Sequence, residues 1–336
     1  MALLSQQPIG ESPEFHALMD RVSDIASLDR ATLLVGERGT GKELIASRLH
    51  FLSPRWEQDY VSLNCAAYKE EELEAHLFGR EGYNGRADIE SVSLRANAGT
   101  LFLDHIEECS SRIQEKLLQT LELGAVTAID ESEAVDFDVR LLSATSIDLP
   151  EAAAIGTFRQ DLTDIIAFHV LGLPALRDRP EDIVALTQHF GRKIISSLGA
   201  ERFSGFTAEA MGALMRQNWP GNVRELKLAV ERSVAQAYLK DESLSLPIAE
   251  LVLDPFAGTA KPPMPPASSA GESTELQHKP DITETTDFTA RVMIFERGLI
   301  DEALHRSQGH QGRAADYLGL SYHQFRGLLR KHGLKK

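Results

Sequence analysis

A glycine-rich loop contains the residues of this chain that are best suited to chemistry. The segment LLVGERGTGKE, residues 33–43, places three glycines and a lysine between an apolar run and a helical pattern. Backbone N–H groups turned outward by the glycines, the positive N-terminus of the next helix and the lysine can together hold a polyphosphate. The predicted nucleotide-binding residues are Gly36, Glu37, Gly39, Thr40, Gly41, Lys42 and Glu43. The alternative is a glycine-rich turn that binds nothing.

Asp104 is the carboxylate that such a loop requires. Glu43 stands where the generic motif has the Ser or Thr that gives a hydroxyl to magnesium. Asp104 ends the apolar run GTLFLD, and a strand parallel to the loop strand brings its C-terminal end beside the metal. The sequence therefore predicts ATP and Mg²⁺ as ligands, with Asp104 on the metal. The alternative is a surface or capping aspartate.

The elements that position these residues follow from the apolar pattern. Short apolar runs alternate with amphipathic segments at residues 31–37, 100–104, 139–145 and 166–174. Such alternation indicates a mostly parallel sheet flanked by helices, and after Pro180 the apolar spacing becomes helical throughout. We expect an α/β subdomain over residues 1–172, a helical lid over 173–253, a flexible linker over 254–287 and an all-α DNA-binding domain over 288–336.

Charge is distributed unevenly along the chain. The net charge of the 336 residues is -15, but residues 289–336 hold nine Lys/Arg against four acids and thus carry +5. Only this tail has the positive charge that suits binding to a nucleic acid. The N-terminus lacks a signal-peptide pattern, no stretch is long and apolar enough for a membrane span, and Cys65 and Cys109 are expected to be free thiols. The expected location is cytoplasmic.

Several motifs resemble the AAA+ domain of bacterial enhancer-binding proteins, the activators of sigma-54 RNA polymerase. They occur in the family's order and spacing: GERGTGKE, SLNCAA, GTLFLD, GTFRQDL, LPALRDRPEDI and WPGNVREL. The resemblance covers residues 7–251 and resumes in the tail, AADYLGLSYHQFRGLLRKHGL, which is similar to that of the family's phage-shock branch. It implies an AAA+ P-loop fold with a helical lid, followed by a helix-turn-helix.

Residue roles carry over from the family by position. The family has a Glu where this chain has Glu43, so the missing Ser/Thr is a family trait. Asn64 matches the asparagine that holds the catalytic glutamate away until nucleotide is sensed, and Arg224 matches the arginine of the lid. Arg159 matches the first of two arginines that reach a neighbouring subunit's site. Since an arginine supplied in trans requires sites between subunits, the resemblance implies a hexameric ring.

Four departures from the family fall on hydrolysis or its mechanical output. His105 occupies the catalytic glutamate position, Ser146 that of the sensor asparagine, and Ile165 that of the second intersubunit arginine. The fourth is the loop that grips sigma-54, which here is a shortened copy at Gly82, Tyr83, Asn84 and Gly85. A working sigma-54 contact and a simple tight turn explain these four residues equally well.

His105 leads to the hypothesis that hydrolysis is weak or absent. A general base contributes roughly 10²- to 10⁴-fold, and imidazole can accept a proton near neutral pH but differs from glutamate in reach. Glu107 and Glu108 offer carboxylates nearby, yet the start of a helix fixes side-chain direction and we expect both to point to another face. Phosphate release compared with a His105→Glu variant tests the hypothesis.

The tail predicts a DNA-binding helix-turn-helix on its own pattern. Residues 288–308 have helical apolar spacing, a short helix closes at Gly319, and Ser321 caps the last helix. A final helix of this kind enters the major groove. The candidate contacts are Ser321, Tyr322, His323 and Gln324 for base edges or capping, and Arg326, Arg330 and Lys331 for bases or phosphates. The alternative is a helical docking module with a solvated basic face.

Trp56 is the candidate for a protein contact. In the phage-shock branch an exposed tryptophan in the matching segment receives the repressor phage-shock protein A, so the resemblance implies that role for Trp56. A large aromatic after a helix is otherwise packing surface.

Two functions follow from the sequence. The first is a transcription activator that binds an upstream activating sequence, binds ATP in an AAA+ ring and acts on sigma-54 polymerase. The second keeps the nucleotide and DNA sites but hydrolyses little or no ATP and does not remodel sigma-54 polymerase. A standalone nucleotide hydrolase is disfavoured by the helix-turn-helix.

Overall fold

The chain forms two compact units, residues 1–257 and 258–336. The computed structural model describes residues 7–80, 89–127, 129, 134–200, 202–256, 288–307 and 310–334. The predicted linker, apart from residues 254–256, and the shortened loop at Gly82, Tyr83, Asn84 and Gly85 lie outside these residues. Within the described ranges, no helix is both long and apolar enough to cross a membrane.

A five-stranded parallel sheet forms the centre of the first unit, as the sequence predicts. Its strand order is β2-β3-β6-β1-β7. The strands are β1 (Thr32–Val35), β2 (Tyr60–Asn64), β3 (Thr100–Asp104), β6 (Arg140–Thr145) and β7 (His169–Gly172), and a separate antiparallel pair joins β4 (Ala125–Thr127) to β5 (Ala134–Asp136). β2 is the strand that the apolar pattern does not reveal, because YVSLN alternates buried and exposed residues at the edge of the sheet.

Helices cover both faces of this sheet. They are α1 (Pro13–Ala26), α2 (Lys42–Phe51), α3 (Glu70–Phe78), α4 (Val92–Arg95), α5 (Ser111–Leu123), α6 (Leu149–Ile155) and α7 (Gln160–Ile166). Because neighbouring strand residues point to opposite faces, Leu33 joins one apolar cluster and Leu34 the other. The same division separates Leu103 from Phe102 on β3. The strands that carry the candidate site are therefore buried on both sides and held rigidly.

A helical subdomain follows the sheet. Its helices are α8 (Pro180–Leu198), α9 (Ala208–Met215) and α10 (Asn222–Lys240), packed around a third apolar cluster. Trp219 lies in that cluster and its indole N–H donates to the Leu214 carbonyl over 2.9 Å. Asn222 begins α10 with a φ of 50°, a left-handed conformation that asparagine tolerates better than most residues.

Asn222 fastens this lid to the glycine loop. Its side-chain carbonyl accepts from the Leu176 N–H at 2.8 Å, while its amide donates to the Glu37 carboxylate at 3.1 Å and the Arg38 carbonyl at 3.0 Å. Arg177 adds a two-pronged ion pair to Glu37, with N···O distances of 2.6 and 2.9 Å. The loop and lid are thus held by hydrogen bonds that involve nearly every polar atom of Asn222.

The second unit is a three-helix arrangement that matches the predicted tail. It consists of α11 (Phe288–Arg306), α12 (Gln311–Tyr317) and α13 (Tyr322–Lys331), with Phe325 and Leu329 buried in its core. Gly319 has a φ of 65° in the turn before α13. Ser321 caps α13 and forms a capping box with Gln324.

The Glu37 pair gives a pH dependence to stability. Hydrogen bonds from Arg177 and then from Asn222 lower the pKa of Glu37 to about 2, although burial opposes this. A carboxylate with a lowered folded-state pKa stabilises the fold above its unfolded pKa of ~4.3 and loses that contribution as pH falls toward the folded value. Since the side chain is 43% exposed, solvent screens the pair and its contribution is about 1 kcal/mol or less.

We therefore expect Glu37→Gln to lower the free energy of unfolding at neutral pH, and the gap to wild type to shrink below a pH of about 4.3. Denaturant midpoints at several pH values measure this gap. Glu57→Gln, which removes one negative charge from an exposed position, is the control. A Glu37→Gln gap that stays constant with falling pH would contradict the assignment.

Candidate functional site

The carboxyl ends of four strands meet at one edge of the sheet, beside the glycine loop. In the strand register Val35 pairs with Thr145, Ala144 with Asp104, and Asp104 with Asn64. β3 is thus parallel to β1, as predicted, with β6 between them. Ser146 directly follows β6 and lies between the loop and Asp104. The predicted residues Lys42, Asp104 and His105 line a common cavity of about 360 Å³.

The glycine loop has the geometry of a phosphate cradle. Gly39 and Gly41 have φ values of 79° and 104°, which L side chains rarely adopt. A side chain at Gly39 would also meet the Gly221 carbonyl of the lid at 2.2 Å. Gly41 is the N-cap of α2, so the positive end of a ten-residue helix faces the cavity.

The Lys42 side chain folds back onto the glycine loop that precedes it. Its Nζ donates to the Gly36 carbonyl at 2.6 Å and to the Glu37 carbonyl at 3.3 Å. Burial lowers the pKa of Lys42, while the Asp104 and Glu107 carboxylates oppose that shift. The Thr40 hydroxyl donates to the Glu37 carbonyl at 2.8 Å. The ammonium therefore lies between backbone carbonyls and carboxylates, and a bound polyphosphate would replace the carbonyls as its partner.

Glu43 and Asp104 supply the carboxylates for a metal ion. Burial raises the pKa of Glu43, and the neighbouring Asp104 carboxylate raises it further while Arg224 opposes the shift. Two acids that repel each other at the mouth of a phosphate cradle suit Mg²⁺, which takes one or two carboxylates together with phosphate and water oxygens. Within the described ranges no group of three His, Cys, Asp or Glu residues could hold a metal unaided. The donor set therefore fits a magnesium ion that arrives with its nucleotide.

His105 stands in an unusual backbone conformation. Its φ and ψ are 56° and 51°, and it precedes a single 3-10 turn, Ile106–Glu108, in which Ile106 is fully buried. The His105 Nε2 lies 4.0 Å from Asp104 Oδ2, and its Nδ1 lies 3.4 Å from Glu107 Oε1. The imidazole thus stands between two carboxylates.

The expectation that Glu107 points to another face is wrong. Glu107 Oε1 accepts hydrogen bonds from the Ser146 N–H at 3.2 Å and from its hydroxyl at 3.0 Å. His105 is left-handed and leads into the 3-10 turn, where Ile106 is buried in the core and Glu107 Oε1 lies 3.4 Å from His105 Nδ1. Burial raises the pKa of Glu107, but hydrogen bonds from its own N–H, from Ser146 and from Thr145 outweigh burial and lower it. Glu108 is exposed, as expected.

Asn64 and the two arginines occupy three different places. The Asn64 side chain accepts from the Ala66 N–H at 3.0 Å. Arg159 lies at the surface with its side chain 38% exposed. It forms a two-pronged ion pair with Asp161, with N···O distances of 3.0 and 2.7 Å. Arg224 is exposed on α10 and lines the cavity. Within one chain, the structure brings Arg224 to the cavity, whereas Arg159 does not line it.

Ile165 packs within its own chain. It is half-buried on α7 and packs against the main apolar cluster. This position contributes to the core of its own chain.

Sequence reasoning missed a further loop contact from the lid. Arg179 is buried, its NH2 donates to the Thr40 carbonyl at 3.2 Å, and its NH1 lies 3.6 Å from Asp182. Asp182 in turn accepts from the backbone of Glu11 and Ser12 before α1. The RDRPED run in the sequence was the available signal, since charged residues spaced within one turn of a helix start are often paired.

The last helix of the second unit presents a basic face. Tyr322, His323, Arg326 and Arg330 are exposed, opposite buried Phe325. Three of the predicted contacts have local partners. Gln324 uses its side-chain oxygen in the capping box with Ser321, and Lys331 forms an ion pair with Glu296 at 2.6 Å.

Two further sequence predictions concern the surface and the thiols. Trp56 is 55% exposed, which favours a contact role over packing. Cys65 and Cys109 are free, as predicted, and both are buried. They also neighbour each other, since a hydrogen bond with Cys109 and then burial raise the pKa of Cys65.

Comparisons with known proteins agree with this architecture. Residues 8–171 match the Sigma-54 interaction domain, 177–247 the AAA+ ATPase lid domain, and 292–332 the Fis family of bacterial regulatory proteins. The Psp operon transcriptional activator of Escherichia coli is 40% identical over 99% of both chains. The transcriptional regulatory protein ZraR of Salmonella typhimurium is 40% identical over 72% of this chain and 56% of its own length.

A solved structure shows the same fold. NtrX from Brucella abortus in complex with ATP superposes with a TM-score of 0.69 at 26% identity, over 99% of this chain and 71% of that one. The predicted AAA+ fold, the lid and the helix-turn-helix are therefore confirmed. The chain belongs to the family of sigma-54-dependent transcriptional activators, with an AAA+ domain and a C-terminal Fis-type helix-turn-helix.

Proposed function

We propose that this chain is the activator of a phage-shock-type operon, that it binds ATP with Mg²⁺ in a cytoplasmic hexamer, and that it turns ATP over slowly. The observation that carries the proposal is a complete nucleotide cradle beside an altered hydrolytic edge. Lys42, Asp104 and Arg224 line the cavity, while His105 occupies the position of the family's catalytic glutamate. The 40% identity to the Psp operon activator over 99% of both chains supports the choice of operon class.

The roles of the chain's residues follow from their placement. The loop N–H groups and Lys42 hold the phosphates, Asp104 and Glu43 hold the metal, and Arg224 on α10 follows nucleotide occupancy from the lid. A bound Mg²⁺ would neutralise charge on the phosphates. Arg159 would reach into the neighbouring subunit's site, where an arginine stabilises the charge on the transferred phosphoryl group. In the ring, Gly82 to Gly85 would contact sigma-54.

Open-complex formation on a sigma-54 promoter tests the activator function. We expect open complexes with ATP and none with a nonhydrolysable analogue, and none with Lys42→Ala, which removes the phosphate-binding ammonium. Equal activity with the analogue would instead support a regulator that binds nucleotide without remodelling the polymerase.

Phosphate release tests the hydrolysis part of the proposal. We expect wild-type turnover well below about 1 per second and a rise of at least ~10-fold in His105→Glu, because a carboxylate general base is restored. Turnover of about 1 per second or more in the unchanged protein would contradict slow hydrolysis. A fluorescent ADP analogue should bind both proteins and should not bind Lys42→Ala.

The last helix should supply the DNA affinity. We expect Arg326→Ala to weaken binding to a duplex selected from a random pool by about 10- to 100-fold, since a base or phosphate contact is removed. Arg297→Ala removes an equal charge from α11, where Arg297 faces Asp301, and should change the affinity little. Fluorescence anisotropy measures both. Equal losses in the two variants would indicate that general charge, and not α13, binds the DNA.

Trp56 should receive a repressor of the phage-shock protein A type. A large, exposed aromatic side chain is a typical energetic centre of an interface. We expect Trp56→Ala to weaken binding of purified phage-shock protein A by about 30-fold or more while ADP binding is kept. Tyr68→Ala alters another exposed aromatic residue of the same unit and should have little effect. Unchanged binding of the repressor by Trp56→Ala would remove this contact from the proposal.

A further inference from the structure

Three residues that follow β3 and β6 form one hydrogen-bonded unit, His105, Glu107 and Ser146. Ser146 donates to Glu107 Oε1 from both its backbone and its hydroxyl, and the same oxygen lies 3.4 Å from His105 Nδ1. His105 Nε2 points in the other direction, 4.0 Å from Asp104 Oδ2 at the cavity.

The left-handed backbone of His105 makes this unit possible. With Ile106 fully buried as an anchor, the 3-10 turn returns Glu107 to the side of the imidazole. A β-branched residue would be strained at this φ of 56°, and histidine is among the residues that accept it. The backbone conformation at His105 therefore permits the pairing.

Glu107 cannot act on a water molecule in the cavity directly. It does not line the cavity, and its second oxygen, Oε2, is sealed from solvent. Its first oxygen is already held by Ser146. Of the groups that line the cavity, the His105 ring lies 3.4 Å from Glu107 Oε1, while Lys42 interacts with Glu107 through its charge.

We infer that Glu107 is a positioning residue that accepts the His105 Nδ1–H and so presents the Nε2 lone pair to a water molecule at the nucleotide site. This inference rests on the proposed binding and slow hydrolysis of ATP. In hydrolysis the water oxygen bonds to the γ-phosphorus as the bond to the β–γ bridging oxygen breaks. ADP leaves with that electron pair, and a water proton passes to solvent. Nε2 orients the attacking water by accepting its hydrogen bond.

The same arrangement predicts a reversal of sign between two backgrounds. With His105 present, the Glu107 carboxylate orients the ring and raises turnover. With Glu at position 105, two carboxylates would stand at the separation of the present contact and repel each other, so Glu107 would then lower turnover. A residue that only stabilises the local fold would have the same sign of effect in both backgrounds.

A double-mutant cycle of kcat for phosphate release tests this reversal. We expect Glu107→Ala to lower kcat by about 10- to 100-fold in the His105 background and to raise it in the His105→Glu background. KM for ATP and the affinity for an ADP analogue should change much less than kcat, because Glu107 does not line the cavity and acts on Lys42 only through its charge. Glu107→Gln, which keeps the side-chain volume and one acceptor, should restore part of the loss. Glu108→Ala, at an exposed neighbouring position, should change none of these quantities.

A second readout needs no turnover. In the nucleotide-free full chain, nitrogen-15 resonances of the His105 ring, identified by their loss in His105→Glu, should report a proton on Nδ1 at a pH above the histidine range. In Glu107→Ala the proton should shift toward Nε2.

The outcomes separate this inference from the proposed function. A proton on Nε2 in the unchanged protein, or losses of equal sign in both backgrounds, would overturn the positioning role. Nucleotide binding without any turnover would also overturn it, yet leave the nucleotide site intact. Failure to bind an ADP analogue would overturn the proposed function, while the ring resonances would still show whether Glu107 sets the tautomer.

Discussion

The hydrogen bonds of Asn222 are the constraint on which the nucleotide site depends. This buried side chain joins the Leu176 N–H, the Glu37 carboxylate and the Arg38 carbonyl, and the next residue donates to the Gly39 carbonyl at 3.0 Å. A glycine loop alone is permissive, because its left-handed residues lose much entropy on ordering. By tying the loop to α10 at several atoms, the lid fixes the direction of the loop N–H groups. The same helix carries Arg224, so loop shape and lid position are set together.

Binding and hydrolysis are supported by different parts of the sheet edge. The glycine loop, Lys42 and α2 follow β1 and are held by the lid. His105, Glu107 and Ser146 follow β3 and β6. The two parts communicate through charge, since the Glu107 carboxylate acts on the Lys42 ammonium. If His105 and Ser146 stand in for family residues that activate water, as the resemblance implies, those changes lie outside the glycine loop. The serine hydroxyl holds Glu107 Oε1, which lies beside the imidazole.

The sequence predicts the fold well where a feature depends on local pattern. Buried strands appear as apolar runs, the glycine loop follows its strand, and Ser321 caps α13 as its position before the helix indicates. Edge strand β2 is less visible, since one of its faces is solvated. Glu107 could not be placed because its direction depends on one backbone angle at His105. The role of Asn222 likewise depends on contacts between segments far apart in the chain, at loop and lid.

In the proposed hexamer, chemistry between subunits would depend on one arginine of this chain. Ile165 packs against the main core, so the position that carries a second arginine in the family adds apolar burial here, which is worth about 25 cal/mol per Å². Arg159 remains at the surface but is held by Asp161 through two short hydrogen bonds. In the proposed ring, a neighbour's phosphate would have to compete with that carboxylate for the guanidinium, because both anions favour the same two-pronged geometry. The strength of the Arg159–Asp161 pair would then set how readily one subunit responds to the nucleotide of the next.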